Sequence, residues 1–295
     1  MTRTAPAADS EIGSTVTVDQ VATNYHDAGG GPPVLLIHGS GPGVSAWANW
    51  RGVLPALAAT GRRAIAPDIV GFGYTERPPG FSFDRESWVG HLVGFLDALG
   101  LDRVSIIGNS FGGALALWLA TRHPQRVDRL VLMGSAGTPF PLTSGLDAVW
   151  GYEPSERNMR RLLEIFSFDR SYLGPDLARL RYQASIRPGA HESYAAMFPA
   201  PRQRAVDALA LDDATLRTVP HETLIVHGRE DNVIPLEASL RLHELIPRSR
   251  LHVFGRCGHW TQIERREEFL HLLGGFLPGP HDAPESEHAP AEESV

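Results

Sequence analysis

The sequence predicts an α/β fold: a mostly parallel sheet covered by helices on both faces, with a helical cap inserted late in the chain. Three observations carry this. Short β-branched runs at 34–37, 63–66, 104–107 and 129–133 alternate with helix-forming stretches, the pattern of a parallel sheet. The alternation breaks over 138–217, which is helical in period and has no clear apolar strand, and resumes at 223–226 and 251–254. Several strands run directly into glycine-rich turns, the places where ligands bind in open α/β sheets.

In chain order, residues 1–13 are polar and expected to be disordered. Ser14–Val18 and Val21–Tyr25 flank Asp19-Gln20 as an antiparallel hairpin. The apolar strand Val34–Ile37 ends in His38-Gly39-Ser40-Gly41-Pro42-Gly43, and Arg63–Ala66 ends at Pro67-Asp68. Asp84 to Leu99 reads as an amphipathic helix with Trp88, Leu92, Phe95, Leu96 and Leu99 on one face, closed by Gly100. The first part of the core is thus 14–137, the cap 138–217 and the second part of the core 218–278, with one last helix from about Glu264 to Leu277. Residues 279–295, rich in Pro, Glu, Ala and His, are expected to be a disordered acidic tail.

Composition narrows the function. The formal charge is −7, and the tail holds five of those negative charges, so no basic footprint for nucleic acid or an anionic membrane exists. All 27 basic residues are arginine, which excludes lysine Schiff-base chemistry. Cys257 is the single cysteine, so an intrachain disulfide and a cysteine-based zinc site are both excluded. Residues 1–13 lack the apolar core of a signal peptide, and no apolar run approaches the ~18 residues that span a bilayer. A soluble, cytoplasmic protein is expected.

The chemistry centres on Gly108-Asn109-Ser110-Phe111-Gly112, between a strand and an Ala- and Leu-rich helix that stops before Pro124. This strand, turn and helix context is what a nucleophile elbow requires: a serine on a strained turn, held proud of the sheet beside free helix N–H groups. A carboxylate just past a strand end suits the residue that orients a histidine, and Glu230 and Asp231 both qualify on type. Among 13 histidines, His259 is singled out by its place in a turn after the last strand, Leu251–Phe254. The order Ser110, acid, His259 differs from the orders of chymotrypsin and subtilisin. The glycine-rich turn at 38–43 reads as a loop that brings a backbone N–H, that of Ser40, toward the nucleophile.

Four motifs in order, HGSGPGVSAWANWR (38–51), GNSFGG (108–113), GREDNVIP (228–235) and HVFGRCGHW (252–260), resemble the α/β-hydrolases over residues 14–278. Within them the chain resembles the meta-cleavage product hydrolases, which split carbon–carbon bonds in ring-fission products of aromatic catabolism. The resemblance implies Ser110, Asp231 and His259 as the triad, with Asp231 rather than Glu230 as the acid. It implies an oxyanion hole from the N–H groups of Ser40 and Phe111. It places Gly39, Asn49, Asn109 and Trp260 in the substrate pocket, and Arg181 on the substrate carboxylate, with Arg179 and Arg187 as close rivals. It also implies no cofactor and no metal, a small dienoate as substrate, and further copies of the chain as partners. The glycine–serine–glycine loop and the Phe after the nucleophile resemble members that act on 2-hydroxymuconate semialdehyde or its 6-methyl homologue. The alternatives are a member taking a bulkier phenyl or alkyl product, or a serine carboxylesterase. A haloalkane dehalogenase is excluded because position 110 is not Asp, and a catalytically dead binding protein would lack a triad member.

Overall fold

The computed structural model describes residues 10–279, so the disorder expected over 1–9 and the acidic tail expected over 280–295 lie outside the described residues. Eight strands form one sheet: β1 Ser14–Val18, β2 Val21–Gly29, β3 Pro33–Ile37, β4 Arg63–Pro67, β5 Val104–Asn109, β6 Val127–Met133, β7 Glu222–Gly228 and β8 Ser249–Phe254. Their spatial order is β1-β2-β4-β3-β5-β6-β7-β8. The β1–β2 and β2–β4 pairs are antiparallel and every other pair is parallel.

The helices follow the chain. Between β3 and β4 lie α1 Ala46–Trp50 and α2 Leu54–Ala59; α3 Arg85–Ala98 precedes β5 and α4 Phe111–Arg122 follows it. Between β6 and β7 come six helices: α5 Ser144–Trp150, α6 Glu156–Phe166, α7 Pro175–Ser185, α8 Ala190–Met197, α9 Gln203–Leu209 and α10 Asp213–Leu216. Then α11 Leu236–Leu245 precedes β8, and α12 Thr261–Glu264 and α13 Arg266–Phe276 follow it. The sheet divides the interior. One apolar cluster holds α3, α4 and α11 side chains such as Leu92, Phe95, Leu117 and Leu242 and runs on into the inserted helices. The other packs α1, α2 and α13 through Trp50, Leu57, Phe269 and Leu273.

Three differences from the sequence reading have physical causes. Strand β2 continues to Gly29 because residues 25–29 pair with β4, which overrides the polar pattern of His26 and Asp27. Within the segment expected to be disordered, Gly13 N–H donates to Asn24 Oδ1 and the Asn24 amide donates to the Glu11 carbonyl, so residues 11–13 are tied to β2. The last helix is two helices, because Arg265 leaves helical geometry (φ −126°, ψ 39°) with its guanidinium bound to the Gly255 and Arg256 carbonyls.

The interior holds several ionisable groups that shape its pH response. Burial pushes the His38 and His91 pKa values down to about 4 and the Asp68 pKa up to about 6. The two histidines stay neutral in the fold while the unfolded chain gains protons near pH 6.5, so acid favours unfolding between pH 6.5 and 4. Asp68 works the other way: it is protonated in the fold below about pH 6 but ionised in the unfolded chain down to its ordinary value near 4. Two groups outweigh one, and stability should fall by about 2 kcal/mol between pH 7 and pH 5. The melting temperature is expected to drop by several degrees over that interval, and His91→Gln to flatten the drop. A melting temperature that rises on acidification would contradict the assignment.

Candidate active site

Ser110 sits between β5 and α4 with φ 55° and ψ −116°, a conformation L-residues rarely adopt. Such a residue stores on the order of 1–3 kcal/mol of strain. The turn is fixed by neighbours: Ser110 N–H donates to Met133 O at 2.8 Å, and Ser110 O accepts from Gly113 and Ala136. The flanking glycines are required by close approach. A Cβ on Gly108 would lie 2.6 Å from Gly112 O, and one on Gly112 would collide with the Ile37 and His38 carbonyls. Helix α4 starts immediately at Phe111, so the Phe111 N–H has no carbonyl one turn back to meet. The Phe111 ring turns away and packs edge-on against Trp88 at 4.8 Å.

The second expected donor lies on the loop after β3. His38 pins that loop: its ring bonds the Gly39 carbonyl at 2.8 Å and accepts from Ile69 N–H at 3.0 Å. The Ser40 hydroxyl accepts from Trp150 Nε1 at 2.9 Å, which ties the loop to α5. Asp68 holds the start of α1, accepting from Ala46 N–H at 2.5 Å, while Ser45 caps the helix through Ala48 N–H. That helix carries Asn49, whose buried Nδ2 has no partner among the described residues.

His259 Nδ1 and Asp231 Oδ2 are 2.7 Å apart, and both side chains are almost fully buried. Asp231 Oδ1 accepts from Val233 and Ile234 N–H at 2.7 and 3.0 Å. Burial alone would raise the Asp231 pKa, but His259, His227 and the Val233 N–H together hold it below the ordinary carboxylate value. An ionised Asp231 makes His259 Nδ1 the donor and leaves Nε2 free to accept a proton. Gly134 gives this pair room, since a Cβ there would lie 3.0 Å from Asp231 Oδ2 and 3.2 Å from His259 Nδ1. Glu230 faces elsewhere: it pairs with Arg229 at 2.7 Å and accepts from Cys257 N–H at 3.0 Å. Cys257 is fully buried, and burial raises its thiol pKa well above the ordinary value, so it is inert near neutral pH.

A cavity of about 400 Å³, within the range of small-ligand sites, joins these parts. Gly39, Ser40, Asn49, Asn109, Ser110, Arg181, His259 and Trp260 all line it; Asp231 and Phe111 do not, Asp231 meeting the cavity only through its bond to His259. Of the three candidate cap arginines, Arg181 alone lines this cavity. Arg179 pairs with Asp176 on the surface, and Arg187 lies over the Tyr74 ring. The Arg181 guanidinium contacts the Gly43 and Ala48 carbonyls at 3.4 and 3.2 Å and has no carboxylate in ion-pair reach among the described residues. Its pKa is pushed down to about 10, first by burial, against the pull of Glu11 and with the push of Arg51 and Arg187. It remains charged at neutral pH. Polar groups thus gather around α1.

Much of the lining is apolar and its place in the pocket was not foreseen from sequence: Leu146 and Val149 of α5, and Met159, Leu163 and Phe166 of α6, are the largest group from one part of the chain. In these two helices hydrophobic period marks a buried face without saying what it covers. Phe166 stacks on Trp260 at 4.7 Å and on His259 at 5.8 Å. Among the described residues, no three His, Cys, Asp or Glu side chains converge as a metal site would need, and no helix is long and apolar enough to cross a membrane.

A family model described as "alpha/beta hydrolase fold" matches residues 32–266. The chain belongs to the α/β-hydrolase family. Within that family, this hydrolase is 61% identical over 273 residues to a protein of Pseudomonas sp. (strain CF600) named 2-hydroxymuconate semialdehyde hydrolase, covering 92% of this chain and 96% of that one. It is also 61% identical over 269 residues to a Pseudomonas putida F1 protein named 2-hydroxy-6-oxo-2,4-heptadienoate hydrolase, covering 91% and 97%. Among solved structures it resembles the meta-cleavage product hydrolase of Pseudomonas fluorescens IP01, a serine-to-alanine variant complexed with acetates. The TM-score there is 0.90 at 58% identity, covering 91% of this chain and 98% of that one. This hydrolase is a member of the meta-cleavage product group, enzymes of carbon–carbon bond hydrolysis.

Proposed function

We propose that the protein hydrolyses the carbon–carbon bond of a 2-hydroxy-6-oxo-dienoate, giving 2-hydroxypenta-2,4-dienoate and a small carboxylic acid. The substrate in this reading is 2-hydroxymuconate semialdehyde or its 6-methyl homologue, the compounds named for the two relatives at 61% identity. The observation that carries it is one cavity lined by Ser110, His259 and the unpaired cation of Arg181. A plain ester needs the first two; an anionic dienoate uses all three.

The chemistry follows from the geometry. Arg181 meets the C1 carboxylate with its planar fork, and the free Asn49 Nδ2 donates to an oxygen beside it. An enol cannot expel a carbanion cheaply, so the 2-hydroxyl proton first moves to C5, leaving a ketone at C2. His259 Nε2 takes the Ser110 proton, and Oγ adds to the C6 carbonyl. The N–H groups of Ser40 and Phe111 hold the resulting oxyanion, each donor contributing about 3–4 kcal/mol by analogy with other hydrolases. The C5–C6 bond breaks, its electron pair runs onto the C2 oxygen, and His259 returns a proton. Water, deprotonated by the same histidine, releases the acid. The apolar side chains Leu146, Val149 and Val233 surround the C6 substituent in this arrangement. The same reading places the enzyme in the cytoplasm and pairs it with further copies of itself. The exposed Val253 on β8, the terminal strand of the sheet among the described residues, supports the second point.

The test is product identification: one equivalent of formate per 2-hydroxymuconate semialdehyde consumed supports the reading, and ester hydrolysis without dienoate cleavage contradicts it. Arg181→Gln should cost about 2–5 kcal/mol in dienoate kcat/KM and spare p-nitrophenyl acetate, because only the dienoate carries the anion. Arg179→Gln, at the surface pair with Asp176, should change neither. A parallel fall with both substrates would make Arg181 structural.

A further inference from the structure

Three consecutive N–H groups of the histidine loop are anchored from three different parts of the fold. Cys257 N–H donates to Glu230, after β7, and His259 N–H donates to the carbonyl of Phe166, at the end of α6, at 2.8 Å. Between them, Gly258 N–H donates to Glu264 Oε1 at 2.9 Å. The second oxygen of Glu264, Oε2, accepts from Phe168 and Asp169 N–H at 2.9 and 2.8 Å. One carboxylate therefore joins the residue before His259 to the cap segment that follows α6. The approach is close: a Cβ on Gly258 would lie 2.7 Å from Phe166 O and 2.8 Å from Phe168 N. Glu264 has no cation in ion-pair reach among the described residues, and it does not line the cavity. Its acceptors are committed to backbone, and burial raises its pKa against those three bonds.

We propose that Glu264 is a positioning residue for the hydrolytic reaction, locking cap residues 166–169 onto the histidine loop so that seating the cap sets the register of His259 against Asp231. This rests on His259 being the catalytic base. The physical reason is rigidity. The His259 ring is held at Nδ1 by Asp231 and on one face by Phe166, but its backbone lies on a turn containing Gly255 and Gly258. Without the clamp, the Gly258, Phe168 and Asp169 N–H groups lose their acceptor, leaving the loop to its Cys257 and His259 anchors and the Arg265 bonds to Gly255 and Arg256, and small displacements of a proton-transferring group are costly in rate. A carboxylate is the side chain suited to this place, since it accepts from three donors and offers none.

Glu264→Gln retains one acceptor oxygen and turns an NH2 group toward N–H donors, so it loses one side of the clamp; Glu264→Ala loses both. Turnover per folded molecule should fall about 10-fold in the first and about 100-fold in the second. The loss should appear in kcat for both the dienoate and p-nitrophenyl acetate, because both need His259. Dienoate Kd, measured in a Ser110→Ala background, should stay within about twofold, and the low-field proton resonance of His259 Nδ1–H should broaden in Glu264→Ala. Turnover per folded molecule within twofold of the parent in both variants overturns the proposal. So does a loss confined to the dienoate, which would make Glu264 a shaper of the pocket. His259→Ala separates the two possible failures: turnover surviving that change overturns the triad reading itself, whereas loss there with Glu264→Ala unaffected overturns the clamp alone.

Discussion

Ser110→Ala is expected to abolish turnover of the dienoate, by about 10⁴-fold or more, while the variant still binds it. The change removes a single oxygen from the cavity wall. The turn is held by backbone bonds instead, from Ser110 N–H to the Met133 carbonyl and from the Gly113 and Ala136 N–H groups to the Ser110 carbonyl. Arg181 and Asn49, the proposed holders of the carboxylate end, remain in the cavity wall. Mixing the variant with substrate in a stopped-flow absorbance experiment should show rapid binding followed by no decay on the timescale of many wild-type turnovers. Full-rate decay would remove Ser110 from the mechanism.

The second large effect separates two adjacent carboxylates. Asp231→Asn should lower kcat by about 10⁴-fold, because an amide NH2 facing His259 Nδ1 forces the tautomer that carries its proton on Nε2. That tautomer cannot take the Ser110 proton. Glu230→Gln should cost only a few-fold, since its role is to accept from Cys257 N–H, which a glutamine oxygen also does. Steady-state rates with p-nitrophenyl acetate suffice to measure both. Equal losses would contradict the assignment of Asp231 as the orienting acid.

Much of this site was legible in the sequence because its parts sit at strand ends. A β-branched run followed by a glycine-rich turn marks the C-terminal end of a strand, and Ser110, Asp231, His259 and Ser40 all follow such runs. Chain order then distinguished the triad from other arrangements of the same residues. Local residue type left Glu230 and Asp231 equal, and the structure shows what differs: Asp231 turns inward to His259 and Glu230 outward to Arg229. The inserted helices were less legible. Their period shows which residues are buried, as Met159 and Leu163 are, not which of them face a cavity, so Leu146 and Val149 went unnamed and Met159 was not placed in the pocket. Arg179, Arg181 and Arg187 are alike in residue type and only the resemblance ranked them; in the structure Arg181 stands apart because its guanidinium reaches the Gly43 carbonyl before α1 and the Ala48 carbonyl within it. Glu264 reads as an ordinary helix residue, because its three partners lie at 168, 169 and 258. The break at Arg265 was hidden for the same reason, since its guanidinium reaches back to carbonyls of a loop nine and ten residues earlier.

The reaction proposed for this cavity is cleavage of a carbon–carbon bond in an anionic dienoate bearing a small C6 substituent. The most direct test follows the loss of dienoate absorbance for three substrates that differ only at C6: formyl, acetyl and benzoyl ended. Fast decay is expected for the first two, with a kcat/KM at least about tenfold lower for the benzoyl compound, a difference of about 1.4 kcal/mol. Decay fastest with the benzoyl compound would contradict the substrate reading, and no decay with any of the three would contradict the account as a whole.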